Sequence, residues 1–183
     1  MKLPYSPDFF DSLAFQIARS QKLEMPHVAR MLVFIGIDAM SFLSTKGREL
    51  SRAAFMSWTS SYLRFPARGI TPEEVFKARQ MHLPRLLKNT SPRSRARTIE
   101  FSDANCTISR SSSAGRTVRM TTDDLVDSFL LGMVNFMAHL RASPESARTA
   151  MEQLTAMPYR WRATMAVLAD EMARKEQSLN ECS

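Results

Sequence analysis

Two ionisable residues stand at positions where apolar side chains are expected, and a site could be built on them. Asp38 lies inside the run 31–43, which carries almost no other polar side chain. A helix that is apolar on nearly all sides is buried on nearly all sides. Arg79 lies on the apolar face of a later helix, between Val75 and Leu83. Because a buried charge is costly unless it is paired, the pattern predicts that Asp38 and Arg79 pair across two helices.

This predicted pair has two interpretations. In a dry core it is a structural link, in which the guanidinium and the carboxylate form a charge-assisted, bidentate contact. If the same two groups line a pocket, they form a binding or catalytic site. We favour the structural link, because the three histidines lack metal-ligand spacing and no phosphate-binding or nucleophile motif occurs. The sequence therefore predicts no metal and no cofactor.

The basic residues are concentrated in one part of the chain, whose overall net charge is +7. Residues 77–119 hold ten basic and two acidic residues, a net charge of +8, and the remaining 15 basic and 16 acidic residues leave −1. Eight of the ten are arginines, whose planar donors fit phosphate. This asymmetry predicts a local anionic partner, RNA or DNA. The arginines expected to contact it are Arg93, Arg95, Arg97, Arg110, Arg116 and Arg119.

Helix signals cover most of the chain and position these residues. Apolar side chains recur at helical spacing, and the box that begins at Thr71, with Pro72 and Glu74, is the strongest helix start. Alternation at period two replaces this pattern at about 97–120. The sequence predicts a mainly α, single-domain bundle over 1–183, with about six or seven helices and a small three-stranded antiparallel β-meander inserted at about 97–120. A mobile basic loop is predicted at 88–97, and a charged tail at 174–183.

Composition limits the class of protein. A chain of 183 residues fits one domain with a filled core. Its two cysteines, Cys106 and Cys182, lie far apart and form neither a disulfide framework nor a metal-binding pattern. The first residues lack the apolar stretch of a signal peptide, and the run 31–43 is shorter than the about 20 residues that span a bilayer. We expect a cytoplasmic protein that does not enter a membrane.

The order of the motifs over residues 26–142 resembles that of a group of small bacterial helical proteins and is similar to HEPN-type helical domains. The resemblance rests on the buried step Ile37-Asp38, an aromatic helix over 55–63, and the step Ala78-Arg79 before a short β-region and a long apolar helix. Many HEPN-type domains are ribonucleases that use an arginine with a histidine five to seven residues later. The resemblance thus implies a helical fold and, as an alternative function, RNA cleavage.

The chain departs from that ribonuclease pattern. Pro84, Arg85 and Leu86 occupy the positions five to seven residues after Arg79, and the nearby histidine is His82. The first hypothesis is therefore a non-enzymatic binding module that engages nucleic acid through the arginine-rich loop and meander. One alternative is a divergent HEPN-like ribonuclease that uses Arg79 and His82. The other is a protein-interaction scaffold or homo-oligomer.

Overall fold

Helices make up most of the chain that the structure describes. The computed structural model describes residues 7–46, 50–65, 69–83, 99–102, 118–155 and 159–181. Within these ranges the fold is a helical bundle of seven helices, as predicted. The elements are α1 Pro7–Lys22, α2 Pro26–Leu43, α3 Arg52–Tyr62, α4 Pro72–His82, β1 Ile99–Ser102, β2 Val118–Thr121, α5 Thr122–Ala142, α6 Pro144–Thr155 and α7 Tyr159–Glu181.

Side-chain hydroxyls cap the starts of α3, α4 and α5. The hydroxyls of Ser51 and Thr121 accept hydrogen bonds from backbone N–H groups three residues on, at the starts of α3 and α5. Thr71 forms the full capping box that the sequence predicts for α4. Each cap satisfies a donor that the first turn leaves without an intrahelical partner.

Helix α2 is the centre of the core. Fifteen of its residues are buried, and it packs against each of the other six helices of the described chain. By length and composition α2 could cross a membrane, yet 89% of it is buried inside the protein, as is typical of a central core helix. Polar groups on α2 therefore need partners within the protein.

The prediction of an antiparallel β-meander at 97–120 is wrong in the part that the structure describes. In a meander the second strand separates the first from the third, but β1 and β2, which correspond to the predicted first and third strands, pair directly and in parallel. The register joins Ile99 to Val118 and Ser102 to Thr121. A parallel pair needs a connection of about a dozen or more residues, which the segment 103–117 supplies. The predicted middle strand at 106–109 and the predicted mobile loop at 88–97 lie outside the described residues.

The predicted charged tail is helical over most of its length. Residues 174–181 continue α7, and two side-chain contacts hold α7 against the N-terminal helices. Arg19 donates two hydrogen bonds to Glu176, at 2.9 and 2.5 Å, and His27 Nε2 lies 2.9 Å from Glu171 Oε1. The hydrogen bond from Arg19 lowers the pKa of the Glu176 carboxyl. The contact from Arg19 to Glu176 therefore joins the predicted tail to α1.

Close packing at Gly36 yields a stability prediction. A Cβ atom there would lie 2.3 Å from Phe129 Cζ and 2.9 Å from Leu13 Cδ2, and both side chains are buried. In an exposed helix, Gly→Ala stabilises by about 1 kcal/mol, but overpacking a core costs about 1–3 kcal/mol. We expect Gly36→Ala to lower the free energy of unfolding, measured by urea denaturation.

A double variant tests whether the clash with Phe129 is the cause. Phe129→Leu shortens the side chain that the new methyl group would meet. Because the two changes share one contact, Gly36→Ala with Phe129→Leu should lose less stability than the two single losses added together. Strict additivity would show that Phe129 is not the cause of the loss, and a more stable Gly36→Ala protein would show that the core tolerates the methyl group.

Candidate functional site

The ion pair between Asp38 and Arg79 is present, and it is bidentate. Arg79 Nε donates to Asp38 Oδ1 at 2.5 Å, and Arg79 Nη2 donates to Asp38 Oδ2 at 2.6 Å. The Asp38 side chain is 1% exposed and the Arg79 side chain is 19% exposed. The carboxylate therefore lies in the core, and the guanidinium reaches it from the edge of the core.

Helices α2 and α4 position the ion pair, and a different local feature fixes each of its two residues. Asp38 lies in the second half of α2, where burial on all sides fixes its side chain. Arg79 lies on α4, whose start is fixed by the capping box. Thr71 donates its backbone N–H to Glu74 Oε2 at 2.8 Å, and Thr71 Oγ1 accepts from the Glu74 N–H at 3.3 Å. The box sets the start of α4 about two turns before Arg79.

Aromatic rings cover the guanidinium of Arg79. Its Cζ lies 5.8 Å from the ring centroids of both Phe55 and Phe76, and the two rings meet edge to face with centroids 5.3 Å apart. Both distances fall within the about 6 Å of a cation–π contact. The rings also reduce the access of water, which strengthens the charge-assisted hydrogen bonds to Asp38.

A second, exposed ion pair lies beside these rings. Arg52 pairs with Glu73, and Arg52 Cζ also lies 5.7 Å from the ring centroid of Phe76. Lys77 Nζ lies 3.7 Å from Glu73 Oε1. The hydrogen bond from Arg52 and the charges of Arg52 and Lys77 lower the pKa of Glu73. The ring of Phe76 thus contacts both the half-buried guanidinium of Arg79 and the exposed guanidinium of Arg52.

His82, the second residue of the catalytic alternative, packs on the core. Its ring stacks on Phe34, with centroids 6.1 Å apart and planes 12° from parallel. Phe34 is fully buried in α2. Arg79 already donates from Nε and Nη2 to Asp38, so binding a phosphate with these donors would require breaking the pair. These contacts join α4 to α2.

Most of the arginines predicted to bind an anionic partner lie outside the described residues. Arg93, Arg95, Arg97, Arg110 and Arg116 belong to this group, and Arg119 belongs to β2, where the register sets it opposite Glu100. The elements that flank these arginines are described. Helix α4 precedes the first segment and contacts β1, and β2 pairs with β1 and leads directly into α5.

A buried arginine on α2 supports the junction of β2 and α5. Arg30 is 7% exposed, and its Nη1 donates to Thr122 Oγ1 at 2.9 Å. Met120 of β2 is buried. The sequence interpretation missed Arg30, although a charge one residue before the apolar run 31–43 is the same kind of signal that identified Asp38.

The structure also contains a cavity beside Trp58 that the sequence analysis did not predict. It has a volume of about 310 Å³ and lies where α3, the ends of α2 and α5, and the start of α6 meet, with Trp58, Tyr62 and Phe136 among its walls. Within the described chain the buried Trp58 Nε1 has no hydrogen-bond partner, and burial raises the pKa of Tyr62. The aromatic spacing of α3 indicated core residues, and no sequence signal distinguishes a core face from a cavity wall. Among the described residues no group of three or more His, Cys, Asp or Glu side chains could hold a metal ion.

No family model, no curated protein and no solved structure matches this chain. The likeness to HEPN-type domains therefore stays a prediction from the order of the motifs.

The burial of Asp38 predicts that its ion pair contributes strongly to stability. Arg79→Gln removes both donors and leaves the carboxylate in the core. Breaking a buried pair costs about 3–5 kcal/mol, so we expect Arg79→Gln to lower the free energy of unfolding by about 3 kcal/mol in urea denaturation.

Arg19→Gln is the matched control. Arg19 also makes a two-bond contact with a carboxylate, but Glu176 lies at the surface. Exposed ion pairs contribute little to stability, so Arg19→Gln should cost much less than Arg79→Gln. Equal losses in the two variants would contradict the importance that we assign to burial.

Proposed function

We propose that this protein is a non-enzymatic binding module for nucleic acid, RNA or DNA, which it contacts through its arginine-rich segments 84–98 and 103–117 and through Arg119. The observation that carries the proposal is the placement of the elements on which these segments begin and end. Helix α4 precedes the first segment, β1 separates the two, and β2 follows the second. Because α4 contacts β1 and β1 pairs with β2, the elements on which the two segments begin and end are neighbours.

The distribution of charge supports this proposal. The segment 84–98 has five basic residues and no acidic residue, and the segment 103–117 has two basic residues and one acidic residue. By contrast, many basic residues of the described bundle form ion pairs with acidic side chains. Examples are Arg19, Lys46, Arg52, Lys77 and Arg79. The surplus positive charge thus belongs to the two segments, where it would attract phosphates.

The geometry of Arg79 and His82 favours binding without cleavage. The Arg79 side chain forms an ion pair with Asp38, and the His82 ring stacks on Phe34. In the described chain both side chains thus contact α2, whereas cleavage of a phosphodiester needs an acid, a base and a phosphate-binding group around one reacting atom.

Salt dependence of binding tests this function. Fluorescence anisotropy with a labelled single-stranded RNA of mixed sequence should give an association constant that falls linearly with salt on logarithmic axes. Each phosphate contact to a single strand contributes about 0.7 to the slope. Changing Arg93, Arg95 and Arg97 to Gln should therefore weaken binding and reduce the slope by about 2. A DNA strand of the same sequence shows which nucleic acid binds more tightly.

The control variant removes the same charge from α6 and α7. Arg148, Arg174 and Lys175 are exposed, and changing them to Gln should leave the slope unchanged. Equal effects of the two triple variants, or affinity independent of salt, would contradict the assignment of the arginine-rich segments. Cleavage of the RNA that both Arg79→Ala and His82→Ala abolish, in variants that circular dichroism shows to be folded, would instead support the ribonuclease alternative.

A further inference from the structure

Helix α5 carries an exposed stripe with the spacing of a helix–helix contact. Asp127, Leu131, Val134, Ala138 and Arg141 alternate at intervals of four and three residues, and all five are exposed. This mean spacing of 3.5 residues is that of a coiled-coil seam. We name these five residues the α5 stripe. Its three central residues are apolar, and its two ends carry opposite charges.

The apolar exposure in this stripe stands out within the described residues. The large hydrophobic side chains that are most exposed there are Phe15, Leu131, Val134, Val167 and Leu179. Leu131 is 52% exposed and Val134 is 60% exposed, and they are neighbours on one helix face because they lie three residues apart. Val167 and Leu179 lie twelve residues apart on α7, so they point in different directions.

The opposite side of α5 is already covered. Gly132 is buried, and a Cβ atom there would lie 3.1 Å from the backbone oxygen of Tyr62 at the end of α3. Phe129 and Phe136 pack on Trp58. The helix therefore buries one face in its own bundle and presents the α5 stripe outward. Partly buried Leu130, Met133 and Met137 widen the apolar surface along it.

The charges at the ends of the stripe point to its partner. Within the described chain neither Asp127 nor Arg141 forms an ion pair. Asp123 and Asp124 occupy the first turn of α5, where an acid complements the helix dipole. Asp127 lies beyond that turn, and the dipole effect falls off within it. Asp127 is exposed and lies outside the first turn, so its carboxylate can contact a group beyond its own helix.

We propose that the α5 stripe binds the α5 stripe of a second copy of this chain, with the two helices antiparallel about a two-fold axis. Asp127 and Arg141 are fourteen residues apart, about 21 Å along the helix. In the antiparallel arrangement Asp127 of each copy meets the partner copy's Arg141, and Val134 lies near the axis. A two-fold axis uses one self-complementary surface twice, and this stripe is self-complementary in both apolarity and charge.

The size of the stripe sets the expected strength of the dimer. A seam of about four helical turns buries less area than the about 1,200–2,000 Å² of a standard stable interface. We therefore expect a dissociation constant in the micromolar range and a dimer fraction that rises with protein concentration. Sedimentation velocity over a concentration series measures both.

Charge reversal tests the register of the dimer. Asp127→Arg sets two arginines opposite each other at both ends of the seam, and Arg141→Asp sets two aspartates there. Each single variant should raise the dissociation constant by about tenfold or more. The double variant, Asp127→Arg with Arg141→Asp, restores opposite charges and should recover dimerisation. Circular dichroism verifies that each variant retains its helices.

Asp170→Arg and Arg174→Asp are the matched controls. Both residues are exposed on α7, and their reversal changes the net charge by the same amounts outside the stripe, so dimerisation should persist in both. A wild-type chain that is monomeric at every concentration would overturn the proposal. A dimer insensitive to the single reversals, or a double variant no better than the single ones, would overturn it as well.

Discussion

The burial of α2 is the constraint on which the rest of the structure depends. The helix packs against all six other described helices, so its polar groups must find partners inside the protein. Asp38 takes two hydrogen bonds from Arg79, Arg30 donates to Thr122, and Ser41 donates to the carbonyl of Ile37 at 2.6 Å. The first two of these contacts join other elements to α2. The Asp38–Arg79 pair joins α4 to the second half of α2, and the bond from Arg30 joins the β2–α5 junction to its first half.

This arrangement separates the structural part of the molecule from the part to which we assign function. Arg79 holds α4 in place, and α4 precedes the first arginine-rich segment. The parallel strands then return the chain to the bundle beside Arg30 and Thr122. Dimerisation through the α5 stripe, as proposed, would present two such basic regions in one assembly. Two linked binding sites raise the overall affinity for a long polyanion without any new contact.

The sequence predicted the features that depend on local patterns. The start of α4 follows from the box at Thr71, whose hydroxyl caps its own helix. The pairing of Asp38 with Arg79 followed from two charges on two buried faces, because each needed an opposite charge. The prediction of a β-meander was wrong because alternation at period two indicates strands but does not determine which strands pair. A parallel pair joined through 103–117 fits the same alternation.

Other features depend on tertiary packing, which no local pattern encodes. The contact between Arg19 and Glu176 joins α1 to the C-terminal part of α7, and the two residues lie far apart in the chain. The cavity beside Trp58 arises where α2, α3, α5 and α6 meet, and Trp58 has the spacing of an ordinary core residue. The exposure of Leu131 and Val134 could not be predicted either, since apolar residues at helical spacing indicate burial by default.

The central claim is that Arg79 stabilises the fold, whereas the arginine-rich segments bind nucleic acid. Thermal unfolding with and without single-stranded RNA tests both parts, because a ligand that binds only the folded state raises Tm. The account predicts a lower Tm for Arg79→Gln with an unchanged RNA-induced shift. It predicts an unchanged Tm with a reduced shift when Arg93, Arg95 and Arg97 are changed to Gln. Loss of the shift in Arg79→Gln, with the shift retained in the triple variant, would contradict it.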